Sequence, residues 1–421
     1  MRVKMTIGIK KMDFRSAFYF LALATMLLTI MVTFIDVKGA KVLFYWTFYF
    51  SLAGILSDWK TCDKSRLWFI GLLAAVGLSK VIWFYWEYLG DSHYNPFNDY
   101  LNSGKRLLLA CVVGYWLFSQ MKKHPLKSFW LLRSGVILAF VAATLFGFYQ
   151  YFSDMHRVVF ALDRATISAY GYAMLSTMVL FLLASEKHTL ANILLCLLVF
   201  CLSYFILVQT GTRNMMAAWP LIILVVGVLQ FRHFGWKSLL AVLAALAVVI
   251  GLSYKPMIEP KLNATMKEYN TYVSSDGNKF GSLTSRLSMW KVGAFCLSEE
   301  PLGMKSEDRT ACFQHYVKTR HQDKISLMYE KVHLHNELLD SATLQGIQGA
   351  LVILLFYIAL VVYACRTRNA MLLAVMLGVI VSGLTDVVFI SRELTVCVAL
   401  MLLVCEMLNT LKITPVRTQP D

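Results

Sequence analysis

Charge is what this chain has little of. Only 15% of its 421 residues are Asp, Glu, Lys or Arg, against about 25% in a soluble domain. That argues against a solvated surface as its main boundary. Among nine cysteines there is no C-x-x-C pair, which argues against a zinc site. There is no tandem repeat and no Gly/Ser-rich or Pro-rich linker. No A-x-A-like cleavage site follows the first apolar run, so the basic N-terminus (Arg2, Lys4, Lys10, Lys11) reads as the flank of a retained anchor helix.

Apolar residues are what the chain has in abundance. They make up 58% of it, and the mean hydropathy is +0.60. A span needs about 20 apolar residues. Candidate spans fall near 17–35, 40–57, 67–86, 107–120, 129–152, 166–185, 190–208, 215–231, 238–253, 346–365, 370–390 and 394–411. The expected fold is therefore an all-α polytopic membrane protein of about twelve transmembrane helices. It divides into helices one to nine (1–253), a large loop (254–341), and helices ten to twelve with a tail (342–421). The net charge of +15 is no nucleic-acid signal, because the cations lie between apolar runs rather than on one soluble face. With both termini placed in the cytoplasm, Lys60, Lys64, Arg66, Lys122, Lys123, Lys127, Arg366 and Arg368 fall on the inner side. This agrees with the positive-inside rule and puts the large loop outside. The aromatic residues (14%) read most simply as interfacial anchors.

The loop has structure of its own. Leu283, Leu287, Trp290, Ala294 and Leu297 recur at spacings of three and four, which predicts an amphipathic helix over 282–297. A second short helix is expected over 260–273. Cys296 and Cys312 both fall here and would pair only in an oxidising compartment; two free thiols is the alternative.

Candidate chemistry gathers on the outer side. Gly211 permits a tight turn in Thr210-Gly211-Thr212-Arg213-Asn214 and leaves Arg213 at a helix start. Arg286 lies off the apolar stripe of the loop helix. Both arginines suit fork-like recognition of phosphate, or serve as anchoring and surface residues. In His333-Leu334-His335-Asn336-Glu337, Asn336 is a good N-cap. His335 then sits at the positive end of a helix, which favours a neutral ring able to accept a proton from a hydroxyl. Two histidines without further ligands do not make a metal site; Glu337 and Asp340 are close in sequence but match no metal spacing. Lys80 and Asp386 are charges within apolar runs and so candidate functional residues. For Lys80 a structural pairing is the simpler reading.

These segments resemble a family. T-G-T-R-N at 210–214, S-R-L-S-M-W at 285–290, E-E-P-L-G at 299–303, and H-N-E-L-L at 335–339 followed by Gly346 and Gly349 are similar, in this order, to the O-antigen ligase and polymerase superfamily. One departure is Met304 and Lys305 after Gly303, where many members carry a second glycine. The resemblance implies a GT-C-like glycosyltransferase of the cell inner membrane, with its active site facing the periplasm and no metal, nucleotide or other cofactor. Its partners would be undecaprenyl-diphosphate-linked O antigen as donor, the lipid A-core oligosaccharide as acceptor, and membrane lipids. His335, Arg286 and Arg213 would be catalytic, with His335 as the base and Asp386 as the runner-up base. Arg213, Arg286, Asn336, Asp386 and Lys80 would line the substrate. An O-antigen polymerase, or a lipid-linked sugar transporter, is the alternative.

Overall fold

The computed structural model describes residues 14–59, 62–88, 98–153, 157–162, 164–185, 189–231, 251, 254–255 and 259–413. Among these the chain is helical, with no strand. The predicted ninth span (238–253), the N-terminal basic flank and the C-terminal tail lie outside the described residues, apart from position 251.

Among the described residues, eight helices precede the loop: α1 (Phe14–Thr33), α2 (Val37–Ser57), α3 (Leu67–Tyr88), α4 (Asn98–Gln120), α5 (Pro125–Phe152), α6 (Ala165–Ala184), α7 (Leu190–Thr210) and α8 (Arg213–Phe231). Three more form the loop: α9 (Glu259–Ser274), α10 (Ser282–Glu299) and α11 (Ser306–Arg320), followed by a 3₁₀ turn at Lys324–Tyr329. Then come α12 (Glu337–Arg366), α13 (Ala370–Thr385) and α14 (Arg392–Ile413). Caps set several of these starts. Asp36, Thr189, Asn336 and Asn369 each accept a backbone N–H from the first turn of the helix they open.

Among the described residues, eight helices are long and apolar enough to cross a membrane: α1, α2, α3, α5, α6, α7, α12 and α14. The chain is a multi-pass membrane protein. α8 and α13 are apolar but shorter. α4 starts at Asn98, well before the expected 107, because its polar first half is helical too. α13 stops at Thr385, earlier than the expected 390, and leaves Asp386 as its C-cap.

The spans are not equivalent. α6 and α14 are 94% and 89% buried, whereas the other six are 33–44% buried. The two enclosed helices pack against each other; α6 also meets α5, α7, α8 and α13, and α14 meets α1, α2, α4, α5 and α13. A helix that is apolar on all sides is stable only where neighbours or lipid surround it. Here neighbours surround these two, and the remaining spans turn one side to the bilayer.

The loop helices form a second small core of Met289, Val292, Cys296, Phe313, Tyr316, Val317 and Leu334. A Cys296–Cys312 disulfide joins α10 to α11. The predicted helix over 282–297 is present, but its buried face is not the expected leucine stripe. Thr284, Ser285, Ser288, Met289, Val292, Gly293 and Cys296 point inward, while Ala294 is exposed. Small residues win because α10 is packed closely on several sides. A Cβ on Gly293 would lie 2.7 Å from Leu334 Cδ1.

Two glycines of the family-like motifs meet. The Pro301-Leu302-Gly303 turn docks where α12 breaks at Gly346 (φ 75°, ψ 179°). Met304 N–H donates to Leu344 O (3.1 Å) and Ile347 N–H donates to Pro301 O (3.0 Å). Gly303 has φ 103°, and a Cβ there would meet Leu344 O at 2.5 Å. Neither position tolerates a side chain without strain. Gly303→Ala and Gly346→Ala should each destabilise the protein by about 1–3 kcal/mol. This would be read as a lower thermal unfolding midpoint in detergent, while Gly71→Ala, inside α3 with open space around its Cβ, should not lower the midpoint.

Candidate functional site

His333 and His335 are two residues apart and emerge on one side, while Leu334 between them is fully buried in the loop core. The backbone carrying them is clamped. Arg309, fully enclosed, donates to Val332 O (2.9 Å) and to Asp340 Oδ1 (2.9 Å); Asp340 accepts the Leu334 N–H (2.9 Å). Trp290 Nε1 donates to Leu334 O (3.0 Å). The two rings stand edge-to-face with centroids 4.5 Å apart.

Both rings meet Asp386. His333 Nε2 lies 3.1 Å, and His335 Nδ1 2.9 Å, from the same Oδ1. A carboxylate can only accept, so both of these nitrogens carry the proton. That leaves His335 Nε2, in a neutral ring, as an acceptor. His335 is 22% exposed and His333 14%, so His335 is the more open of the two. Burial pushes His333 below the usual imidazole range; Asp386 acts against this, and the neighbouring His335 adds to it. His335 adopts a left-handed backbone (φ 50°), and the following Asn336 caps α12, accepting from Leu339 N–H (3.0 Å). Asn336 also donates to Leu384 O (3.3 Å), which ties the cap to α13.

The remaining groups converge through Asn214 and Tyr170. Asn214 Nδ2 donates to Tyr170 Oη (3.3 Å), and Tyr170 lies 3.4 Å from Thr385 Oγ1, next to Asp386. Arg286 and Asp386 both lie within electrostatic reach of Tyr170. Among the described residues Arg286 has no hydrogen-bond or ion-pair partner, although it adds to the field on Glu268. Arg213 is engaged: it donates to Thr265 Oγ1 (2.9 Å) and to Glu268 Oε1 (2.7 Å). Burial would raise the Glu268 carboxyl. The Leu283 N–H and the two arginines outweigh that, and Glu268 sits below its usual range.

Arg213, Arg286, His335, Asn336 and Asp386 are thus brought to one end of the bundle. Lys80 is placed differently. It is fully enclosed, 3.5 Å from Glu337 Oε1 and 5.0 Å from the Tyr100 ring centroid. Glu337 Oε2 in turn accepts the Val388 and Phe389 N–H groups (2.5 and 3.0 Å), so Lys80 is linked through Glu337 to the segment after Asp386.

Sequence reasoning assigned no role to His333, Glu268, Tyr170, Arg157 or Lys261. Arg157 Nε donates to Thr210 O (2.7 Å), and Lys261 Nζ lies 3.5 Å from Gly211 O. Burial, then Arg157 and Arg213, lower the Lys261 ammonium from its usual range. Three cations around one turn, with one carboxylate among them, form a surface poised for an anion. Arg157 and Lys261 were visible only as loop charges. The H-x-H spacing did point at His333.

His333, His335 and Asp386 also present three ligand atoms within 4.8 Å of one another. Two histidines and a carboxylate form a donor set that suits a divalent transition metal. The same three atoms satisfy one another by hydrogen bonds, so the set is complete as it stands.

Residues 195–354 match the family model described as O-antigen ligase; this stretch contains Arg213, Arg286, His333 and His335, but not Asp386. The chain is 26% identical over 334 residues to the O-antigen ligase of Escherichia coli (strain K12), covering 77% of each chain. It is also 26% identical over 216 residues to an uncharacterized protein of Haemophilus influenzae (strain ATCC 51907 / DSM 11121 / KW20 / Rd), covering 49% of this chain and 51% of that one. The family model and the Escherichia coli match bear out the resemblance carried by the motifs.

The depressed His333 sets a sign for pH. Its unfolded form binds a proton near pH 6.5 and its folded form only at lower pH, so stability is lost as pH falls through and below that value. Unfolding midpoints in detergent should drop between about pH 7 and pH 5. In His333→Asn that drop should be smaller; an equal drop would remove His333 as its source.

Proposed function

We propose that this chain is an O-antigen ligase. It transfers O-antigen polysaccharide from undecaprenyl diphosphate to a sugar hydroxyl of the lipid A-core, on the periplasmic face of the cell inner membrane. The observation that carries this reading is the pairing of His335 with Asp386 beside the Arg213 turn and an Arg286 that has no partner among the described residues. A twelve-span, GT-C-like architecture with cytoplasmic termini accompanies the proposal. The Cys296–Cys312 disulfide supports an oxidising compartment for the loop, and so a periplasmic active site.

Asp386 holds the His335 Nδ1–H and leaves Nε2 to take the proton of the attacking hydroxyl. Asp386, which the sequence offered as an alternative base, becomes the group that orients the base. As the acceptor oxygen bonds to the anomeric carbon, the bond from that carbon to the diphosphate oxygen breaks, and undecaprenyl diphosphate leaves. One displacement inverts the anomeric centre. Negative charge grows on the diphosphate, and fixed cations lower that barrier. Arg286 supplies one. Arg213 uses two of its five donors on Thr265 and Glu268 and keeps the others, while Lys261 and Arg157 add charge at the same turn. No metal is needed for any of these steps.

The test uses purified protein, undecaprenyl-diphosphate-linked O antigen and lipid A-core, with and without EDTA, and products resolved as a ladder on a gel. Transfer to core should persist in EDTA. Arg286→Ala should lower kcat by about 10²–10³-fold, and Asp386→Asn by up to about 10⁴-fold. Loss of transfer in EDTA, restored by a transition metal, would instead make His333, His335 and Asp386 a metal centre. Longer chains left on undecaprenyl diphosphate would identify a polymerase.

A further inference from the structure

A second basic feature lies on helices that take no part in the cluster above. A cavity of about 440 Å³ opens between α2, α4 and α14, lined by Lys41, Tyr45, Asn102, Lys105, Arg106, Leu108, Leu109 and Arg392. All three helices begin at the end of the bundle where Asp386 lies, since Asp386 and Arg392 flank the short connection into α14. At 1.5 Å per residue, Lys41, Lys105 and Arg106 sit about 6–12 Å inside their helix starts. That is headgroup depth for a membrane span.

The charges there do not balance among the described residues. Arg106 is buried and lies 3.5 Å from Glu393; Arg392 Nε donates to Asp99 (2.6 Å). Lys41 and Lys105 have no carboxylate partner, and Lys105 rests 5.7 Å from the Tyr85 ring centroid. Two cations are therefore left over. A phosphate monoester carries about −1.5 to −2 at neutral pH, which matches that surplus, whereas a phosphodiester carries about −1 and does not. Leu108, Leu109 and Tyr45 give the deeper wall an apolar character, which fits a ligand continuing into acyl chains.

Building on the ligase reading, we infer that this cavity holds a phosphate monoester on the headgroup of the acceptor glycolipid. The reaction needs two lipids at once. The cations for the donor diphosphate lie on α8, α9, α10 and the turn around Gly211, none of which lines this cavity. Arg392 comes six positions after Asp386, so the two places are at most about 20 Å apart along the chain. An acceptor anchored here by its phosphate directs its oligosaccharide toward His335. Lys41 and Lys105 act as positioning residues, not catalytic ones.

Lys41→Ala/Lys105→Ala tests this, because both side chains are exposed and their loss leaves the fold intact. Retention of lipid A bearing its phosphate monoesters, read by native mass spectrometry, should fall about tenfold in the variant. Phosphatase-treated lipid A should bind the unaltered protein equally weakly, with no further loss in the variant. In the transfer assay the KM for acceptor should rise about tenfold, with kcat and donor KM unchanged. Equal binding of treated and untreated lipid A would overturn the proposal, as would independent, additive losses. Displacement by inorganic phosphate at low millimolar concentration, or by phosphatidic acid as readily as by lipid A, would likewise remove the acceptor assignment. If the ligase reading fails and no transfer occurs, the binding arm still decides whether the cavity reads a phosphate.

Discussion

The end of the bundle that carries Asp386 is organised around one buried carboxylate. Glu337 is fully enclosed, and an enclosed charge costs several kcal/mol unless it is paired and hydrogen-bonded. Here one oxygen faces the Lys80 ammonium and the other accepts the N–H groups of Val388 and Phe389. Those contacts join α3, the start of α12 and the irregular segment after α13. Irregular backbone at membrane depth persists only where protein satisfies its polar groups. Glu337 does that for the segment that begins with Asp386. The orientation of His335 toward Asp386 therefore depends on a charge pair one residue beyond the Asn336 cap.

The loop is fixed to the spans in the same manner, by a few enclosed polar links rather than by a broad apolar interface. Arg309 with Asp340 holds the histidine segment, and Tyr88 Oη accepts the Ser306 N–H (2.9 Å) at the start of α11. The Gly303 turn seats on the Gly346 break. Each link replaces water that a loop of this composition would otherwise need. Together they let the loop core of Val292, Phe313 and Leu334 sit directly over the ends of membrane helices.

Local features were legible in the sequence. Long apolar runs announced the spans, Asn336 announced its cap, Gly211 its left-handed turn (φ 69°), and periodicity announced the helix over 282–297. Each of these depends on residues within a few positions of one another. What could not be read depends on distant partners. The leucine stripe of that helix was misjudged because close neighbours select Ser285, Ser288 and Gly293 for the interior, against their polarity. Lys80 and Glu337 are 257 positions apart, and neither residue alone shows which charge answers it. Asp386 offered itself as a base; only its meeting with both histidines shows a group placed to orient one.

The enclosure of α14 bears on how the molecule is assembled. Along the chain α14 follows every other described helix, yet it ends among the most deeply enclosed. Chains enter the bilayer from the N-terminal side onward, and helices associate there after insertion. The earlier helices can therefore gather before α14 enters between α1, α4, α5 and α6. When α14 enters, it draws Arg392 and the segment behind Asp386 into place. Until then the histidines lack the carboxylate that aims them.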